Sequence, residues 1–151
     1  MAILDQHLLF SANQAITVDA ISDVVDRGAN APTLANWSPS FTGPAFLVLQ
    51  TGTAFATLTS LEIKLVSDST ANLATSPTTH LSTGAIPVAS LTANKVLAVL
   101  PLPPGDYERY VGLIYDVTGT TATAGSIRAF ITQTPDFYRA MAANNPPAHN
   151  L

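Results

Sequence analysis

A proline-rich corner at residues 100–106 most constrains what this chain can fold into. Its three prolines each fix the backbone φ angle and lack an amide donor, so no helix can run through the segment. Gly105 and Asp106 follow with the residue types of a tight turn. Because apolar runs lie on both sides, the segment predicts a strand, a bend and a second strand.

The run after the corner alternates as a strand in a sheet does. Val111, Leu113 and Tyr115 fall on one face and Gly112 and Ile114 on the other, which is a period of two residues. Similar patterns predict an all-β chain with strands over residues 14–18, 24–26, 45–50, 60–66, 95–100, 109–117 and 125–133. The breakers at Gly119 and over 120–125 are interpreted as hairpin loops. The pattern is typical of an antiparallel β-sandwich.

The chain divides into a central domain and two arms. Residues 1–13 are apolar without a clean period and are interpreted as an N-terminal arm that forms a short strand or lies on a neighbour. Residues 14–134 form the predicted sandwich, which includes a long loop over 31–44. Residues 135–151 form a C-terminal tail, with a helix-like stretch over 135–143.

Charge is scarce and scattered. Charged residues make up 11% of the chain, against about 25% in a typical soluble domain, and the net charge is −4. Lys and Arg occur singly, which argues against binding to nucleic acid. Such a surface is weakly protected by charge repulsion and favours coverage by copies of the chain or by a partner. A monomeric, threonine-rich β-protein remains the alternative.

The sequence also predicts a protein made in a reducing cytoplasm. It has no cysteine, and the N-terminus has no basic region and an early acid, unlike a secretory signal. The apolar runs are interrupted by Pro, Thr or charged residues within about ten residues, so no membrane span is expected.

No pattern of chemically reactive residues stands out. The histidines, His7, His80 and His149, have no metal-ligand spacing, and no glycine-rich phosphate loop is present. Asp106 is interpreted as a turn cap and Glu108 as part of a solvated face. We therefore expect no catalytic residue, no cofactor and no metal site, which favours a binding or structural role.

Several segments together carry a family resemblance: 5–11 (Asp-Gln-His-Leu-Leu-Phe-Ser), 81–87 (Leu-Ser-Thr-Gly-Ala-Ile-Pro), 100–105 (Leu-Pro-Leu-Pro-Pro-Gly), 108–110 (Glu-Arg-Tyr) and 123–127 (Thr-Ala-Gly-Ser-Ile). From about residue 3 to residue 133 the chain resembles the capsid cement, or decoration, proteins of tailed bacteriophages, in particular the family known from a Bordetella phage. The tail beyond Thr134 has no counterpart in this resemblance.

The resemblance implies a jelly-roll-like sandwich without enzymatic activity. It also implies a homo-oligomer, a dimer or a trimer, which sits on the outside of the icosahedral head and bridges neighbouring subunits of the major capsid protein. We expect such a protein to be made in the cytoplasm of the bacterial host and then to join the virion.

Exposed apolar and aromatic residues of the arms and the long loop are the candidate contacts with the capsid or with other copies: Ile3, Leu4, Leu8, Leu9, Phe10, Trp37, Phe137 and Tyr138. The arm residues could equally belong to the core or to a self-association surface, and Trp37 could plug one end of the core.

Two other functions remain open. A carbohydrate-binding jelly-roll module would need a row of exposed aromatic side chains, which is not evident here. A small β-barrel enzyme would need acid, base or metal spacing, which is not evident either.

Overall fold

The structure is a computed structural model that describes residues 8–28, 45–133 and 136. Strands with alternating apolar residues make up most of this part of the chain. Within these residues the strands are β1 (Leu9–Ala15), β2 (Ala20–Ile21), β3 (Val25–Asp26), β4 (Phe46–Thr51), β5 (Ala56–Asp68), β6 (Thr78–Ser82), β7 (Ile86–Pro87), β8 (Val96–Pro101), β9 (Tyr110–Ala124) and β10 (Ser126–Thr132). A 3-10 turn at Val88–Ser90 follows β7.

The strands form two antiparallel sheets. The smaller sheet has the order β1-β10-β4-β8. In the larger sheet the order is β2-β9-β5-β6, with β3 paired to β9 and β7 paired to β5. The predicted all-β antiparallel sandwich is therefore confirmed, while its jelly-roll character stays a prediction.

The core lies between the two sheets, where the predicted alternation places it. Leu61, Ile63 and Leu65 of β5 are at most 2% exposed, and Leu113 and Tyr115 of β9 are fully buried. The smaller sheet contributes Leu47, Leu49, Ile127, Ala129 and Ile131 to the same cluster. Burial of each such Leu or Ile side chain stabilises the folded state by roughly 1.5–3 kcal/mol relative to exposure in water. Burial of these alternating positions holds the sheets together.

The strand, bend and strand predicted around the prolines are confirmed. Strand β8 ends at Pro101, and β9 begins at Tyr110 after a segment without strand structure. Tyr107 from this segment is 2% exposed and packs into the core. The corner is therefore joined to the core by a large aromatic side chain.

Strand β9 runs further than the sequence predicts, as does β5. Strand β9 continues to Ala124, although Gly119 and residues 120–125 were expected to be loops. Gly119 has a φ angle of +93°, and register shifts accompany the pairing of this end of β9 with β5. The irregularity is therefore a bulge within a continuing ladder, and the chain passes from the larger to the smaller sheet at Gly125, without the expected hairpin.

Strand β1 also differs from the expectation. It begins at Leu9 and pairs with β10, so residues 9–13 of the expected N-terminal arm belong to the smaller sheet. Their irregular apolar pattern has a physical cause, because register shifts interrupt the pairing on both sides of Ser11 and Asn13 adopts a φ angle of +58°.

Candidate functional site

The structure places three of the candidate contact residues. Phe10 is fully buried and Leu8 is 6% exposed, and both belong to the core cluster. Leu9 is half-buried and lies opposite Phe130. Leu8 and Phe10 are thus core residues and not exposed contacts, because pairing of β1 with β10 turns Phe10 inward. Five other candidates, Ile3, Leu4, Trp37, Phe137 and Tyr138, lie outside the described residues.

One side of the sandwich is closed by contacts between β1 and the larger sheet. The hydroxyl groups of Ser11 and Tyr115 lie 2.7 Å apart in the buried interior. The amide of Asp23 donates to the carbonyl of Phe10 at 2.8 Å, and Gln14 Nε2 donates to the carbonyl of Ile21 at 2.8 Å. These bonds link the two sheets along this side and leave little space between them.

The opposite side is open. Among the described strands, β8 pairs with β4 alone, and β6 and β7 pair with β5 alone. A groove of about 270 Å³ lies between these edges, with Leu97, Ala98 and Leu100 on one wall and Ile86 on the other. The Leu and Ala residues are half-buried, so apolar surface remains accessible there.

A lysine stands beside this apolar wall. Lys95 precedes β8 and lines the groove, and its side chain has no carboxylate partner among the described residues. Its backbone amide is fixed, because it donates to Thr51 Oγ1 at 2.8 Å. As far as the described residues go, the open side combines an apolar wall, a strand edge without a further neighbour and a cation without a carboxylate partner, and these are the elements of a docking surface for another chain.

The proline corner is fixed by a polar and aromatic cluster, which is unsuited to catalysis. Ser67 Oγ accepts the backbone N–H of Glu108 at 3.0 Å and lies 2.7 Å from His80 Nε2. A Ser–His pair could activate a nucleophile, but Ser67 is 0% exposed and no substrate can reach it. The pair therefore holds the start of β9 against β5 and β6.

Aromatic and cationic groups complete this cluster. His80 stacks on Tyr107, whose hydroxyl donates to the carbonyl of Pro103 at 2.8 Å. Arg27 donates from Nη1 to the carbonyls of Tyr107 and Glu108, while no described residue accepts a hydrogen bond from its buried Nη2. Desolvation raises the pKa of Tyr107 to about 12, and it lowers the pKa of His80, as does the nearby Arg27 charge. The corner is thus built around neutral aromatic groups.

A polar cleft lies at one end of the sandwich. It has a volume of about 470 Å³ and is lined by Asn13, Gly52, Asn94 and Ser126 among others, with no charged residue in its wall. Asn13 and Asn94 both have positive φ angles, of 58° and 54°. The cleft offers amide and hydroxyl groups, which can bind uncharged polar molecules.

The sequence predicts neither a metal site nor a membrane span. Within residues 8–28, 45–133 and 136, no group of three His, Cys, Asp or Glu side chains could hold a metal ion. No helix in these same ranges is long and apolar enough to cross a membrane.

Neither the groove nor the cleft was predicted from the sequence. The run at 95–100 indicates a strand but not that the strand lies at a sheet edge, since its neighbours are distant in sequence. The signal available was the placement of Lys95 and Pro101 at its two ends, because edge strands often carry Lys and Pro.

The comparison with known families yields a match over nearly the whole sandwich. Residues 10–131 match the model of the Bbp16 family, from within β1 to within β10. No curated protein matches the chain.

Proposed function

Because the chain belongs to the Bbp16 family, we propose that it is a structural protein of the virion, a capsid cement or decoration protein. The family name is consistent with the Bordetella phage family that the sequence resembles. In this proposal the protein binds the outer surface of the phage head as a dimer or trimer and bridges neighbouring subunits of the major capsid protein. It is made in the host cytoplasm and has no enzymatic role.

The observation that carries the proposal is the open side of the sandwich. A cement protein must offer other chains a surface that they can bind without covalent chemistry. The free edge of β8 and the apolar wall of Leu97, Ala98 and Leu100 offer main-chain hydrogen bonds and buried area together. A bridging oligomer needs only modest contacts, since each contact after the first is intramolecular.

The closed side and the corner supply the rigidity that this role requires. A protein that resists outward pressure on the shell must transmit load without opening its own sheets. Bonds between β1 and the larger sheet, and the cluster of Ser67, His80 and Tyr107, connect strands that are far apart in sequence. Such connections make the sandwich a stiff link between two attachment points.

Co-sedimentation tests the proposal directly. Purified protein is mixed with assembled phage heads that lack it, and in parallel with unassembled major capsid protein. We expect it to pellet with the heads and not with the subunits, because bridging requires neighbouring subunits in fixed geometry. Heads that have bound the protein should also release their DNA at a higher temperature than bare heads.

Two results would contradict this function. One is the absence of binding to assembled heads at micromolar concentration. The other is equal binding to assembled and unassembled capsid protein, which would indicate simple association without bridging.

The polar cleft favours a second candidate function, the binding of carbohydrate. Asn13 and Asn94 place two amides beside the Ser126 hydroxyl around Gly52, and amides can both donate to and accept from sugar hydroxyls. A glycan array tests this function. Asn13→Gly and Asn94→Gly preserve the left-handed backbone and remove the amides, so they should abolish any specific signal.

A further inference from the structure

The groove on the open side has the shape and position of a site for one added strand beside β8. Ala98 and Leu100 lie opposite Leu49 and Leu47 of β4, whose side chains are buried in the core, so they also face the space between the sheets. They are nevertheless half-buried, because no described strand follows β8 in the smaller sheet. An extended segment with apolar side chains would complete this layer.

The main chain of β8 can hold such a segment. Its pairing with β4 uses one edge, so the N–H and C=O groups of the other edge point away from the sheet. An added strand would pair with this edge while its apolar side chains enter the groove between Ala98 and Ile86.

Charge indicates which segment of the chain suits the groove. Lys95 lies in the groove wall and no described carboxylate pairs with it, so a complementary segment carries an acid close to its apolar residues. Of the residues outside the described part, namely 1–7, 29–44, 134–135 and 137–151, the first segment alone contains an acidic side chain. That residue is Asp5, and it directly follows Ile3 and Leu4.

Topology favours a second copy as the donor of this segment. The N-terminal segment precedes β1, which lies at the edge of the smaller sheet opposite β8. For residues 2–5 to lie beside β8 of their own chain, residues 6–8 would have to cross the smaller sheet, but three extended residues span at most roughly 11 Å, whereas the three strand spacings from β1 to β8 amount to about 14 Å. We propose that residues 2–5 of one copy bind as an added strand beside β8 of another, with Leu4 in the groove and Asp5 paired to Lys95.

This proposal rests on the proposed function and deepens it, because it names the surface through which copies of the cement protein join. The contact joins two different surfaces, the N-terminal segment of one copy and the β8 edge of another, and it is reciprocal in a dimer or repeats around the ring in a trimer. It gives a role to the contact candidates Ile3 and Leu4, while Leu8 and Phe10 anchor the base of the same segment in the core.

A charge swap provides the first test. Sedimentation velocity over a range of concentrations measures self-association of the wild type, Lys95→Glu, Asp5→Lys and the double variant. Each single variant should associate about five- to tenfold more weakly, because an attraction becomes a repulsion. The double variant should return to within about threefold of the wild type. Circular dichroism checks that every variant is folded.

Cysteine crosslinking provides the second test, and the chain has no cysteine of its own. Leu4→Cys protein is mixed with Ala98→Cys protein and oxidised gently. We expect a crosslinked heterodimer in excess of either homodimer. The control mixture uses Val18→Cys, because Val18 is 54% exposed and lies outside the groove. It should give little heterodimer.

The outcomes separate this inference from the proposed function. A wild type that stays monomeric, a double variant that does not recover, or equal crosslinking to Ala98→Cys and Val18→Cys overturns the inference. So does a Leu4→Cys, Ala98→Cys double variant that crosslinks only within one chain. If copies associate as proposed but do not pellet with heads, the inference stands and the cement function fails.

Discussion

The imidazole ring of His80 stacks on the phenol ring of Tyr107, with their centroids 3.9 Å apart and their planes inclined by 22°. Tyr107 directly follows the proline corner and His80 belongs to β6, so the contact joins the end of the corner to the edge of the larger sheet. Tyr107 is 2% exposed, whereas Pro101, Pro104 and Asp106 are exposed, so this one side chain anchors a surface corner to the core. The stability of the sandwich should therefore depend on this one aromatic residue.

Truncation of Tyr107 should destabilise the protein strongly. Tyr107→Ala removes a buried aromatic ring, and we expect a loss of about 3–5 kcal/mol in the free energy of unfolding. Tyr107→Phe keeps the ring but removes the hydroxyl that donates to Pro103, so about 1 kcal/mol should be lost. Urea unfolding of both variants measures the two losses.

Tyr110→Phe is the matched control for that series. Tyr110 is half-buried, and its ring contacts the Arg109 guanidinium, a contact that phenylalanine preserves. Its free energy of unfolding should equal that of the wild type. A loss as large as that of Tyr107→Phe would show that the missing hydrogen bond to Pro103 is not what destabilises that variant.

Acidification should weaken the corner through His80. Burial and the Arg27 charge lower the pKa of His80 below its ordinary value of 6.5, so the folded state favours the neutral imidazole. As the pH falls below about 6.5 the unfolded chain takes up this proton first. Stability should therefore decrease from pH 7 downwards and level off once the pH is below the lowered pKa.

His80→Phe tests this pH dependence. The variant keeps a ring against Tyr107 but cannot titrate, and it removes the partner of Ser67 Oγ. We expect it to lose about 1 kcal/mol at pH 7.5 and to show a flatter stability profile between pH 7 and 5 than the wild type. An unchanged profile would mean that other groups cause the acid sensitivity.

Substitution by alanine should destabilise the protein more at Gly125 than at Gly84, because of a steric contact. Gly125 has a φ angle of +139°, and a Cβ there would overlap the Phe55 ring. Gly84 also has a positive φ angle, +66°, but a Cβ there would meet nothing within 4 Å. Gly84→Ala should therefore cost about 1–2 kcal/mol for backbone strain alone, and Gly125→Ala about 2–5 kcal/mol. Thermal unfolding of the two variants measures the two losses of stability. Similar losses would contradict the prediction.

Alternation along the chain made much of the fold predictable. The faces of β5 and β9 follow from a period of two residues, since each strand has one buried side. Glycine was a less reliable guide, because it serves both turns and bulges. Neither glycine marks the expected hairpin: Gly125 joins β9 to β10, which lie in different sheets, and Gly119 lies in a bulge through which β9 continues.

The candidate site was less predictable, because it depends on which strands become neighbours. Residues 95–100 indicate a strand, but its exposure results from its place at the end of the order β1-β10-β4-β8. The cluster of Ser67, His80 and Tyr107 likewise combines residues from β5, β6 and the corner. No local pattern reports such contacts, and sheet order is a property of the whole chain.

The ion pair between Asp26 and Arg109 should make the stability of the fold depend on pH in a second range, which is more acidic than that of His80. The Asp26 carboxylate accepts from Arg109 Nε and Nη2, both at 2.8 Å, and from the backbone amide of Gly28. The hydrogen bond from Arg109 is the main reason that the pKa of Asp26 falls from 3.8 to about 2. The stabilisation is thus present above pH 4 and is lost as the pH falls through about 2.

Asp26→Asn should reduce this acid sensitivity without unfolding the protein. Both side chains are partly exposed, so the pair is screened by salt, and its contribution at pH 7 should shrink as ionic strength rises. Unfolding measured at pH 4.5 and 2.5 should show a smaller difference in Asp26→Asn than in the wild type. Glu108→Gln is the control, since the Glu108 carboxylate has one weak contact, with Thr78 at 3.4 Å. If the control flattens the profile as much as Asp26→Asn does, the acid sensitivity reflects general carboxylate charge, and the link between the β3 turn and the start of β9 is not its cause.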